Sequence, residues 1–318
     1  MGDRDKLTQL IDKCGVLKQE VSKIIIGQQD IIDKVLITVF CGGHCLLTGV
    51  PGLAKTLLVK TLSEVLDVKF NRVQFTPDLM PSDILGSEIL DANRQFQFLQ
   101  GPIFTNILLA DEINRTSPKT QSALLQAMQE KNVTVNGNTY ELEEPFFVLA
   151  TQNPVEQEGT YPLPEAQLDR FMFMLIMQYP SFEEEVNILK TTTTLYDYKV
   201  RPVMSKDDIL SMRKLLKSVV VSDNVYNYIV GLVSRTRPVN KDNIVASKYL
   251  LWGAGPRACQ NIVSAAKCHA VMNGKFSPDK EDVDAVCKDV LRHRIVLNYS
   301  AQSEMLNADD IIEMIIKE

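Results

Sequence analysis

The chain has 318 residues, with 34 Lys+Arg against 40 Asp+Glu for a net charge of −6, 45% hydrophobic and 23% charged residues. At about 150 residues per domain this is one large domain or two modest ones, and the composition excludes wholesale disorder, collagen and a coiled coil. The acidic balance weighs weakly against a nucleic-acid partner, since a basic patch can hide inside a negative total.

Nothing approaches the roughly 18 consecutive apolar residues of a membrane span. Met1–Lys6 has no apolar core behind it and is not a signal peptide. Gly2 invites a myristoylation reading, but Lys6 stands where that motif wants Ser or Thr. The cysteines Cys14, Cys41, Cys45, Cys259, Cys268 and Cys287 are scattered, as suits free thiols in a reducing cytoplasm.

In chain order, Cys41-Gly42-Gly43-His44-Cys45 offers three soft ligands without a second cluster, and reads as core thiols with one strand-edge histidine. It leads into the apolar run Cys45–Thr48, then Gly49-Val50-Pro51-Gly52-Leu53-Ala54-Lys55-Thr56, then a helical pattern over Leu57–Leu66. Strand, glycine-bearing loop and helix is the context of a phosphate-binding P-loop. Its backbone N–H groups and the helix dipole would face the phosphates of ATP. Lys55 would meet the β- and γ-phosphates, and the Thr56 hydroxyl would sit on Mg²⁺. The pattern wants glycine before the lysine. Ala54 fits if its φ is negative, as in a first helical turn.

Further strands are expected over Val68–Phe75, Ile107–Asp111, Phe146–Thr151 and Phe171–Met177. Apolar runs separated by helical patterns are the signature of a parallel sheet covered on both faces. Asp111 and Glu112 close the second of these runs, at the edge where ligands bind in open α/β sheets; Asp111 would hold the Mg²⁺ shell and Glu112 orient the attacking water. Asn153, at the end of the next run, could reach the γ-phosphate, although Asn-Pro is also a turn initiator. Val133-Thr134-Val135 and Thr139–Leu142 flank Asn136-Gly137, which predicts a hairpin. Arg170 stands just before the last strand.

After Pro180 helical periodicity takes over. Ser181 and Ser205 open capping boxes, and Ser277-Pro278-Asp279 reads as a cap followed by proline at the first helical position. Gly255-Pro256-Arg257 opens a helix with an arginine in its first turn, against the dipole, which hints at a ligand that supplies negative charge. Trp252 and the methionines of Phe171–Met177 read as packing; Arg235-Thr236-Arg237 and Arg292-His293-Arg294 read as solvated faces. Residues 1–180 are thus expected to form an α/β domain and 181–318 a smaller helical one.

With these residues collected, the chain resembles the MoxR family of AAA+ ATPases. The likeness is carried by Gly49–Thr56, Phe75–Asp83, Leu109-Ala110-Asp111-Glu112-Ile113-Asn114-Arg115, Ala150-Thr151-Gln152-Asn153-Pro154 and Leu163–Phe171. Ala54 is usual within that family. The resemblance implies an AAA+ P-loop fold with a parallel five-stranded core sheet and an all-α lid. It makes Asp111-Glu112 the Walker B pair, Asn153 sensor 1, Arg170 the arginine finger (with Arg115 as the other candidate) and Arg257 sensor 2. Ile26-Gly27-Gln28 falls where such proteins hold adenine, and Gly86–Phe98 where they carry an insert. An arginine finger acts on a neighbour's nucleotide, so a homo-oligomeric, hexameric ring is expected. Arg257 would report the γ-phosphate to the lid. The resemblance further implies chaperone-like remodelling, maturation or metal insertion of a von Willebrand factor A domain protein. A DNA-dependent AAA+ motor and a magnesium-chelatase-like subunit are the alternatives.

Overall fold

The computed structural model describes residues 3–90, 94–154, 159–193, 199–239 and 242–318. Two helices, α1 (Asp3–Ser22) and α2 (Gln29–Cys41), lead into β1 (Cys45–Thr48), the phosphate loop and α3 (Lys55–Val65). Next come β2 (Phe70–Gln74), the short α4 (Pro81–Leu85), the hairpin β3 (Gly86–Leu90) and β4 (Phe96–Gln100), then β5 (Ile107–Asp111) and α5 (Pro118–Glu130). A second hairpin, β6 (Asn132–Val135) and β7 (Asn138–Glu141), precedes β8 (Phe147–Gln152), the single-turn α6 (Glu165–Leu168) and β9 (Phe173–Ile176). The rest comprises α7 (Phe182–Thr192), α8 (Lys206–Ser218), α9 (Asp223–Arg235), α10 (Ile244–Tyr249), β10 (Leu250–Trp252), α11 (Pro256–Met272), α12 (Lys280–Leu291), β11 (Val296–Leu297), α13 (Tyr299–Ser303) and α14 (Ala308–Lys317).

Five parallel strands form the central sheet in the order β2-β5-β8-β1-β9. The interior strands β5 and β8 are buried almost from end to end, which is why they read as continuous apolar runs rather than alternating ones. One face packs on α5 through Leu108, Val148, Leu124 and Leu125. The other packs on α1–α3, and that core continues without a break into the helices after residue 200, through Leu36, Phe173, Met212, Ile262 and Val290. The lid is therefore joined to the sheet by a shared apolar interior. It also carries the small antiparallel sheet β10–β11, so it is not all-α as expected.

Local signals place the element ends. Asn136 and Gly137 take φ 48° and 85°, the positive pair of a type I′ turn, whose twist matches that of the flanking strands. The Ser181 and Ser205 hydroxyls accept from the N–H groups of Glu184 and Asp208. At 277–279 the cap is Asp279, not Ser277: its carboxylate accepts from the Asp282 N–H, Pro278 stays outside the helix, and the Ser277 hydroxyl donates to the Val220 carbonyl. The anticipated insert is the β3–β4 hairpin; its tip, 91–93, lies outside the described residues, as do Met1 and Gly2. The two hairpins are joined, with Phe98 stacked on Tyr140 at 4.0 Å and the Asn136 amide donating to Glu88 at 2.9 Å.

Two further expectations are corrected. His44 is not at an open edge: its Nδ1 accepts from the Val148 N–H and its Nε2 meets the Met128 carbonyl, and burial pulls its pKa down to about 4. Arg292-His293-Arg294 is not a solvated face. Arg294, with 2% of its side chain exposed, donates to the carboxylate and carbonyl of Asp169 and to the carbonyls of Phe171, Met172 and Val290. Arg292 joins Asp289, Asp309 and the Met174 carbonyl, and His293 meets the Phe171 carbonyl. The approach to β9 presents unpaired carbonyls, and these side chains from the lid satisfy them.

Candidate active site

The phosphate loop leaves β1 at Gly49 and enters α3 at Lys55. Pro51, Gly52 and Ala54 are exposed, and Val50, Leu53 and Thr56 partly so. Ala54 takes φ 54°, not the negative φ expected of it. It is the residue just ahead of the helix, where the chain turns, and a methyl group in this left-handed region costs about 1–2 kcal/mol. The Lys55 ammonium donates to the Gly49 carbonyl at 2.5 Å. Half-burial pulls its pKa down, against the opposing pull of Asp111 and Glu112.

Those acids come from the end of β5, which β8 flanks in register. Thr151 of β8 binds them both: its hydroxyl donates to Asp111 at 2.6 Å and accepts from the Glu112 N–H at 2.9 Å. The Arg72 guanidinium grips the other Asp111 oxygen at 2.7 and 3.1 Å. Glu112 sits at φ 59°, and one carboxylate oxygen accepts from Gln74 at 2.7 Å and Arg115 at 3.1 Å. Asn153, buried, follows β8 at the same edge of the sheet. Sequence reasoning missed Arg72, Gln74 and Thr151. The signal was present, because β2 puts polar side chains at alternate positions beside an acidic strand end, but only the β2–β5 register, Gln74 opposite Asp111, gives it meaning.

Beside the loop lies a cavity of about 450 Å³ lined by Ile26, Gln28, Leu53, Met177, Tyr179 and Leu189, among others. A largely apolar slot beside a phosphate cradle suits a purine base. Gly27, between the lining residues Ile26 and Gln28, packs closely on α7: at φ 71°, a Cβ there would lie 2.2 Å from the Glu184 carboxylate. Gln28 ties the same stretch to the Gln178 carbonyl at 2.9 Å.

The two remaining candidates are elsewhere. Arg170 lies two residues before Met172, whose N–H bonds to the His44 carbonyl at the start of β1. It is thus at the N-terminal end of the sheet, and the four residues of β1 alone put about 10 Å between that end and the loop. It forms no side-chain hydrogen bond or ion pair with the described residues. Arg257, in the first turn of α11, pairs with Asp169 at 3.0 Å. The negative charge that its position calls for comes from this carboxylate, and the structure sets Arg257 next to Arg170 rather than at the phosphate loop of the same chain.

A five-stranded parallel sheet, a strand–loop–helix phosphate cradle, paired acids at the end of a strand one removed from the cradle's own, and a helical lid define a P-loop nucleoside triphosphatase of the AAA+ class. Residues 44–173 match the ATPase family associated with various cellular activities (AAA), and residues 243–315 match the AAA lid domain. Chaperone MoxR1 of Mycobacterium tuberculosis is 41% identical over 94% of this chain and 79% of its own length. The uncharacterized protein YeaC of Bacillus subtilis is 41% identical over 95% of this chain and 92% of its own. A crystal structure of a Cytophaga hutchinsonii protein assigned as an ATPase superposes with a TM-score of 0.92, at 44% identity, covering 99% and 96% of the two chains. The chain belongs to the MoxR family of AAA+ ATPases.

Proposed function

We propose that this ATPase works as a homo-oligomeric ring, hexameric by family resemblance, in which each triphosphate is held by one copy and attacked with the help of arginines from the next. The observation that carries this reading is the separation of Arg170 from its own phosphate loop, by the length of the sheet. In this reading residues 49–56 cradle the phosphates, Ile26, Gly27 and Gln28 flank the adenine, Lys55 neutralises the phosphate charge, Asn153 positions the γ-phosphate, and Glu112 orients water. The Thr56 hydroxyl and Asp111 carboxylate are hard oxygen donors few enough to suit Mg²⁺, which keeps most of its positions for phosphate and water; bound there, the ion would offset charge on the phosphates. Glu112 is held by Gln74 and Arg115 and must be released from them to reach water.

No helix among the described residues is long and apolar enough to cross a membrane, and we place the ring in the cytoplasm. Residues 1–180 would carry the nucleotide and 181–318 the lid. The joined hairpins, with Leu90 and Phe96 exposed at 61% and 73%, form an apolar surface suited to a protein client, for which the family resemblance names a von Willebrand factor A domain protein that is matured, remodelled or loaded with metal.

The decisive experiment mixes two inactive proteins. Lys55→Ala keeps its arginines but not its cradle, and Arg170→Ala the reverse. Recovery of ATPase on mixing supports hydrolysis between copies, whereas wild-type turnover in Arg170→Ala alone rules out Arg170 as the arginine that is lent. ATPase stimulated by DNA at low salt would instead favour a DNA motor.

A further inference from the structure

Trp252 is the chain's single tryptophan. It was expected to pack inside, yet it is 71% exposed, and its neighbour Leu251 is 65% exposed. Both lie on β10, where Trp252 pairs with Val296 of β11. Val296 is two residues past Arg294, and Arg294 grips Asp169 at 2.7 Å. Five residues past Trp252 is Arg257, which grips the same carboxylate. Arg170 is the next residue along. A pair of exposed apolar side chains is thus mounted on a small sheet whose neighbours in the chain clamp the base of Arg170.

Single exposed apolar residues are ordinary, but a second group stands where the first would have to arrive. Tyr179 and Leu189 line the mouth of the nucleotide cavity, and Phe182 begins the same helix as Leu189; they are 72%, 62% and 81% exposed. The two groups lie at opposite ends of the central sheet, one beside Arg170 and Arg257 and the other beside the phosphate cradle, where the arginines at hand, Arg72 and Arg115, are engaged by Asp111 and Glu112. A contact between unlike surfaces propagates head to tail and closes into a ring if the rotation allows. Tryptophan is the residue type most enriched among the anchors of such contacts.

We propose that Leu251 and Trp252 seat on the cavity rim of a second copy of this chain, against Tyr179, Phe182 and Leu189, and so deliver Arg170 and Arg257 to the triphosphate bound there. The proposal rests on the reading of hydrolysis between copies.

Because no other tryptophan contributes, its fluorescence reports on the seat directly. Full-length Glu112→Gln protein in ATP is concentrated while sedimentation measures assembly. The expected result is a blue shift of the emission and a several-fold fall in acrylamide quenching, both following assembly. Trp252→Ala and Trp252→Lys should bind ATP as monomers with unchanged affinity, fail to assemble at concentrations where the parent does, and, with Glu112 intact, lose at least tenfold in turnover; Trp252→Phe should keep both properties. Assembly with Trp252 still fully quenchable would overturn the seat and leave hydrolysis between copies standing. Full turnover from protein that remains monomeric would overturn both.

Discussion

At the C-terminal ends of the parallel strands, Lys55, Asp111 and Glu112 are half-buried and held by short polar bonds to Gly49, Thr151, Arg72 and Gln74. At the N-terminal ends, His44, His293 and Arg294 are buried, and Arg294 makes four hydrogen bonds into the segment Asp169–Met172 that carries Arg170 and a fifth to the Val290 carbonyl of α12. The first end is accessible and its carboxylates have hydrogen-bond partners that a ligand could replace. The second is locked, because a buried guanidinium must keep all its partners. One sheet thus holds an accessible cluster of charged groups at one end and, at the other, a buried clamp beside the half-buried Arg170.

The comparison can be broken in order of expected effect. Arg170→Ala should lower ATPase by about 10³–10⁵, the range for an arginine supplied to a phosphoryl transfer, with nucleotide binding retained in an equilibrium titration. Glu112→Gln should lower turnover by roughly 10²–10⁴ if the carboxylate acts on the attacking water; a smaller loss would deny it that role. Arg294→Ala removes no group from the phosphate end, yet it takes away a buried guanidinium and leaves the carbonyls of Phe171 and Met172 short of a donor, at a cost of about 1–3 kcal/mol for each acceptor left unsatisfied in chemical denaturation. An Arg294→Ala protein as stable as wild type would show that the clamp is not rigid.

Acid should weaken the locked end. His44 is neutral when folded, with its pKa depressed to about 4 from about 6.5 unfolded. The unfolded chain therefore takes up the proton first. The contribution of His44 is fully present above about pH 6.5 and falls away as pH drops toward 4, by about 3 kcal/mol in all. His44→Gln should flatten that part of the stability–pH profile. Burial lowers the pKa of His293 too, so the flattening is partial. The smallest effect is expected at Ala54→Gly, where relief of a positive φ and the greater freedom of glycine when unfolded nearly cancel, leaving a change of less than about 1 kcal/mol.

Much of the phosphate end was legible in the sequence because its signals are local. The loop and the Lys55-Thr56 pair lie within eight residues of one another, the acids close an apolar run, and Asn136-Gly137 announces its own turn. Trp252 and Arg292–Arg294 were misread, because nothing within a few residues distinguishes a buried arginine from a solvated one or an exposed tryptophan from a packed one. Ala54 was misread because residue type suggests a backbone region but the chain's path can overrule it.

The sequence by itself determined the strand–loop–helix cradle, the parallel sheet and the capped helices, since hydrophobic period, capping side chains and turn residues act over one or two turns of chain. Only the tertiary structure decided that Asp169, Arg257 and Arg294, up to 125 positions apart, share one carboxylate, and that this clamp holds Arg170 at the far end of the sheet from Lys55. Ion pairs and carbonyl partners of that range are set by how the lid packs on β9, and packing of distant segments leaves no periodic mark in any stretch of the chain.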